Sequence, residues 1–216
     1  GGPVQTICDL PSIAGGAWAA DGIIYLGSTN SGIFGVPESG GALAPVVPLN
    51  PQSSGAAYYH SPRMLPGGRL LFAATGDEAS AGIYIASLSD PSHPHRILQT
   101  AGAEALAYLP PAALLYTQKD SLLALPVDTS SFVPTGSPAE ITVGVRGFSV
   151  SQTRSIAYSS SAGGDSRDLE IAWYDRTGQR ISAVTSGNLA RDRGAALAPD
   201  GKRIAFTAAA PAGNTL

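Results

Sequence analysis

The chain has 216 residues, enough for one all-β domain with a sizeable buried core. Charged residues make up only 13%, about half the usual share of roughly 25%, the net charge is -3 and no basic run occurs, which argues against a nucleic-acid binder. The single cysteine, Cys8, excludes an intrachain disulfide scaffold, and no apolar stretch is long enough to span a bilayer.

In chain order, Val4 to Leu10 reads as the outer strand of a unit whose other strands lie upstream, with Cys8 as a small buried hydrophobe in it. Gly1-Gly2-Pro3 before it looks like the interior of a longer protein. The first full unit runs Gly16 to Ala19, a turn at Asp21-Gly22, Ile23 to Gly27, Ile33 to Val36, a turn at Glu38 to Gly41, and Leu43 to Leu49. The second is the clearest: Ser61 to Leu65, the turn Pro66-Gly67-Gly68, Arg69 to Thr75, Ile83 to Leu88, a turn over Ser89 to Pro94, and His95 to Thr100. In the third, Pro110-Pro111 replaces the glycine turn, with strands at Leu114 to Thr117 and Leu122 to Val127. The fourth holds Phe148 to Val150, Ile156 to Ser159, Leu169 to Asp175, the hairpin signal Asp175-Arg176-Thr177-Gly178, and Ile181 to Thr185. A fifth begins with Ala195 to Leu197 and Arg203 to Thr207.

These units repeat about every 45 residues. Turn pairs at Asp21-Gly22, Gly67-Gly68, Pro111-Ala112, Gln152-Thr153 and Asp200-Gly201 are each followed by a short apolar strand. Four antiparallel strands in such a period make one blade of a β-propeller. The expected fold is therefore all-β: a single propeller domain of four-stranded blades at about 11–50, 57–100, 103–144 and 146–187. Partial blades fall at 1–10 and 193–216, as in a six-bladed type or a fragment of one.

No G-x-S-x-G, H-E-x-x-H or Walker pattern is present, so no catalytic residue is assigned. His93-Pro94-His95 lies in an expected surface turn with no second cluster nearby, and Gly163 to Asp168 lacks the alternating carboxylates of a calcium loop. No metal or cofactor is expected. Binding candidates stand just before the inner strands, where a propeller gathers side chains around its channel mouth. They are Tyr59, His60, Arg63, Arg146, Arg191, Asp192 and Arg193, in which arginines and an aromatic are the types enriched in binding hot spots. Trp18 and Phe148 are expected to wedge between blades.

Pro199 to Phe206 (PDGKRIAF) resembles the turn-and-strand motif of TolB-like, WD-like propeller repeats, with variants at Leu65 to Arg69 and Trp18 to Gly22. A narrower resemblance rests on Ile7-Cys8-Asp9, Gly15 to Trp18, Gly40-Gly41, Arg63 to Arg69 and the Trp173 to Gly178 turn. It is to the propeller region C-terminal to bacterial receptor-type Ser/Thr protein kinases. That resemblance implies a binding or sensor module on the extracytoplasmic side of a bacterium, tethered through upstream segments and not itself inserted in the membrane. Its partner would be a protein, a peptide or a small ligand, with no nucleic acid. The chain carries no kinase motif, so kinase activity would reside elsewhere. Similar propellers gate prolyl-oligopeptidase-like hydrolases or stand alone as periplasmic TolB-type scaffolds. Both remain alternatives from sequence.

Overall fold

A computed structural model of the chain describes residues 5–49, 58–150, 156–160, 170–174, 180–186, 195–197, 203–206, 208–210 and 213–215. All regular structure among them is strand, and no helix among them is long and apolar enough to cross a membrane.

After β1 (Asp9–Leu10), blade one is β2 (Ile13–Trp18), β3 (Ile23–Ser28), β4 (Ile33–Pro37) and β5 (Ala44–Val47). Blade two is β6 (Tyr58–Leu65), β7 (Arg69–Thr75), β8 (Gly82–Ser87) and β9 (Asp90–Gln99). Blade three is β10 (Ala103–Leu109), β11 (Ala113–Gln118), β12 (Ser121–Pro126) and β13 (Ala139–Val143). Blade four comprises the hairpin β14 (Val145–Val150) and β15 (Ile156–Ser160) and the pair β16 (Glu170–Tyr174) and β17 (Arg180–Ser186). β18 (Ala195–Leu197) and β19 (Ile204–Phe206) open a fifth blade, followed by β20 (Ala208–Ala210) and β21 (Gly213–Thr215). Among the described residues every pairing is antiparallel, and all but two join chain neighbours. One links Ser28 of blade one to Tyr59 of blade two, joining them in an eight-stranded sheet. The other pairs β1 with β21, so the two partial units at the ends of the chain meet in one sheet.

The turns explain the hairpins. Gly22, Gly67 and Gly68 all hold positive φ (82°, 76° and 65°), a region that a Cβ penalises. Strand β9 begins earlier than expected from sequence. Asp90 to Pro94 belongs to it rather than to a turn, because an outer strand pairs on one side only and tolerates Pro91 and Pro94.

The core lies between blades. Tyr25, Ile33 and Val47 of blade one meet Tyr59, Leu70 and Phe72 of blade two. Leu65, Leu71, Ile83 and Ile85 face Leu106, Leu114, Tyr116 and Leu125 of blade three. Phe132, fully buried, fills the same interface from the loop after β12, edge-on to Tyr108 and beneath the Arg69 guanidinium. That loop is tied by Asp128, which accepts hydrogen bonds from the backbone and hydroxyl groups of Ser130 and Ser131. These bonds hold its carboxyl well below the usual carboxylate range. Leu115 and Leu122 pack with Val145 and Phe148 of blade four. Cys8, Leu10, Ile13, Ile24 and Leu26 pack with Ala205 of the fifth blade. There Arg203 lies over the Trp18 ring and pairs with Glu38 at 3.2 Å, while Trp18 Nε1 donates to the same carboxylate. Trp18 and Phe148 thus sit between blades, as wedges do.

Candidate functional site

The strands β2, β6, β10 and β14 are the first of their blades; β2 packs against β6, β6 against β10 and β10 against β14. Each is interrupted by a β-bulge at the corresponding place. In β2, Ala14 and Gly15 lie between the paired residues Ile13 and Gly16; in β6, Ser61 and Pro62 lie between His60 and Arg63. In β10 the inserted residues are Glu104 and Ala105, and in β14 the extra residue is Arg146. A bulge bends its strand and re-aims side chains. Two of the bulges hold left-handed backbone, with φ of 91° at Gly15 and 52° at Ser61. They also touch: a Cβ on Gly15 would stand 3.0 Å from the Ser61 Cα. Thr117 receives the freed Ala105 amide of the β10 bulge at 3.1 Å.

Arg63 follows its bulge directly. It pairs with Leu71, whose side chain faces blade three, yet its Nη1 donates to the Gly16 carbonyl of blade one at 3.0 Å and to the Pro62 carbonyl at 2.8 Å. Partners across a strand pair share a face. The guanidinium therefore crosses the edge of β6 that faces away from β7, beyond the pairing of Tyr59 with Ser28, to reach β2. Burial pushes its pKa down, but a guanidinium stays charged at physiological pH. It forms no ion pair with a carboxylate among the described residues.

His60 is buried. Its Nε2 lies 3.0 Å from the Thr75 hydroxyl and its Nδ1 3.3 Å from the Ser61 hydroxyl, so both ring nitrogens are engaged. Burial lowers its pKa to about 4, which leaves the ring neutral at pH 7. Such an imidazole is a poor general base for the neighbouring Ser61.

Tyr59 is corrected from a channel-mouth residue to a core one. It is 4% exposed, its ring 4.7 Å from Phe72 and 6.2 Å from Tyr84. The reason is that β6 starts at Tyr58, so Tyr59 is already a strand residue facing blade one. Arg146 lies in the β14 bulge, where its backbone alone is described. Arg191, Asp192 and Arg193 lie outside the described residues, as does the Gly163 to Asp168 loop. His95 lies in β9, and exposed His93 pairs with Asp90 at 2.8 Å. Among the described residues no group of three His, Cys, Asp or Glu side chains converges to hold a metal. The sequence reading missed Ser61, Glu104 and the Gly16 carbonyl. A proline inside a strand, Pro62, and a glycine pair, Gly15-Gly16, were the available signals of bulges.

Radial packing of four-stranded antiparallel sheets through their first strands defines a β-propeller. No family model and no curated protein matches the chain. Among solved structures it is similar to regucalcin, a calcium-binding protein from Agrobacterium tumefaciens. That match has 19% identity and a TM-score of 0.52, covering 78% of this chain and 58% of regucalcin. Hsv2 of Kluyveromyces lactis matches at 12% identity and a TM-score of 0.45, covering 91% of this chain and 70% of Hsv2. A prolyl endopeptidase matches at 12% identity and 0.39, covering 73% of this chain and 28% of that one. The regucalcin likeness is one of fold alone, and the two lower scores add nothing to it. A propeller is supported, without narrowing to the TolB-like or kinase-associated group.

Proposed function

We propose that this propeller is a non-catalytic binding module that takes a protein, peptide or small ligand at the axis-facing edge of its inner strands. The observation that carries the reading is the bulge repeated in β2, β6, β10 and β14, which places Ser61, Glu104 and Arg146 at bulge positions of successive blades, with Arg63 directly after the bulge of β6. Against catalysis stands His60, a buried base beside two hydroxyls among the described residues, whose low pKa makes it weak toward both. The regucalcin match, at 19% identity, carries a likeness of fold and does not bring calcium with it.

The test is amide chemical-shift mapping against a library of peptides and small molecules. Ligands are expected to perturb the bulge residues of β2, β6 and β10 while leaving the outer strands β5, β9 and β13 unmoved. Hits confined to the outer strands would overturn the reading. The finer proposal is that the module is the extracytoplasmic sensor of a receptor Ser/Thr kinase. It is supported by the motif order from Ile7-Cys8-Asp9 to the Trp173 to Gly178 turn. The full open reading frame tests it: an upstream kinase and membrane helix are expected, and a downstream hydrolase domain with a G-x-S-x-G serine would replace it with the peptidase-gating alternative.

A further inference from the structure

We propose that the Nε and Nη2 edge of Arg63 is an oxyanion site, which takes a carboxylate or phosphate group of the channel ligand. This rests on the binding-module reading above and specifies the chemistry of its ligand.

Three observations converge. First, the guanidinium is anchored through one nitrogen only. Nη1 donates to the carbonyls of Gly16 and Pro62, one on each side of the junction between blades one and two. Those bonds fix the plane of the group. Second, the remaining donors are open. No fully buried side-chain nitrogen or oxygen among the described residues lacks a partner, and every side-chain hydrogen bond of Arg63 among them runs through Nη1, so Nε and Nη2 have no protein partner there and keep some contact with solvent. An Nε–Nη2 edge presents two parallel N–H groups, the fork that matches a carboxylate or a phosphate. Third, the charge is half-buried with no carboxylate paired to it among the described residues. Carbonyl dipoles satisfy its hydrogen bonds and leave its charge uncompensated, so a bound anion regains what desolvation costs.

The bulges supply the setting. Gly15 lets β2 approach the Ser61 backbone, and that approach brings the Gly16 carbonyl within reach of a side chain rooted on β6. Gly16 and Leu106, which follow the bulges of β2 and β10, cannot offer this charge. Gly147 after the β14 bulge cannot either, so among the described bulged strands the site belongs to the junction of the first two blades. Glu104, exposed in the β10 bulge and unpaired with Arg63, would disfavour a second negative group on that side. The ligand is expected to present its anion toward blades one and two.

The experiment follows the side-chain Nε–H signal of Arg63 in the intact protein, assigned by through-bond connection to its backbone. Inorganic phosphate, acetate and chloride are titrated separately at constant ionic strength. A saturable shift with phosphate or acetate, accompanied by the Ser61 and Gly16 amides, and no such shift with chloride is expected. Comparison of phosphate with acetate separates a tetrahedral from a planar oxyanion. Arg63→Lys keeps the charge and loses the fork; read through the Ser61 and Gly16 amides, its affinity is expected to fall at least tenfold while circular dichroism stays unchanged. Should this variant fail to fold, the wild-type titration decides alone. A shift that grows linearly to the end, or equals that with chloride, overturns the site. If it fails while an uncharged or cationic ligand still moves Ser61 and Glu104, only the oxyanion assignment falls. If no ligand moves any inner-strand amide, the binding-module reading falls with it.

Discussion

The junction between blades one and two and the junction between blades two and three are built from the same strands of the same repeat, yet they hold different chemistry. The second is an aliphatic slab of Leu65, Leu71, Ile83, Ile85, Leu106 and Leu125, closed by Phe132. The first stacks Tyr59, Phe72 and Tyr84, and at its axial end carries His60, Arg63 and two glycine-thinned strands. The difference shows where a repeat architecture stores function. Shared positions keep the sheets apart at a packing distance, and departures from the repeat place polar groups where the sheets converge.

Three measurements sharpen this contrast. The largest effect is expected from Gly27→Val. A Cβ there would stand 2.7 Å from the Tyr59 carbonyl oxygen and 2.9 Å from both the Ala14 oxygen and the His60 Cα, all of them backbone atoms that cannot yield. Urea unfolding should show a loss of about 4 kcal/mol or failure to fold, and a near-neutral result would mean that the first junction is not close-packed. Leu106→Ala, in the aliphatic junction, is expected to cost about 3 kcal/mol through lost burial and a residual cavity. It should leave the Arg63 response to phosphate intact, and loss of that response would show that the two junctions are not separable. The smallest effect is a pH dependence. His60 titrates at about 4 in the folded chain against 6.5 unfolded, so the unfolded state binds more protons between those values. Stability is therefore full above pH 6.5 and falls as pH drops toward 4, by about 2 kcal/mol between pH 7 and pH 5. In His60→Gln this part of the pH dependence should vanish; if it persists unchanged, its source lies in other groups.

Much of the architecture was legible in the residues. The strand Arg69 to Thr75 matches its expectation end to end, because an apolar run bounded by Gly67-Gly68 and a polar loop admits few other structures. Less could be read where a residue's meaning depends on its neighbours in space. Pro91 and Pro94 spoke for a turn, and only the outer position of β9 makes them acceptable in a strand. The bulges were illegible as a set, since Ala14-Gly15, Ser61-Pro62, Glu104-Ala105 and Arg146 have no residue type common to all four. Of the site, Arg63 was picked for its type, but its bond to a carbonyl 47 positions away could not be. Tyr59 was misplaced because the start of an inner strand has no sharp sequence mark, and a one-residue change of register turns a rim residue into a core one.

The backbone pairing of Ser28 with Tyr59 welds the first two blades into a single sheet. Breathing between blades must be absorbed at seams held by side chains alone, since sliding here would break main-chain hydrogen bonds as well as side-chain contacts. Arg63 is mounted across this weld, so a guest gripping it would meet a wall already set in place, with little ordering left to do on arrival.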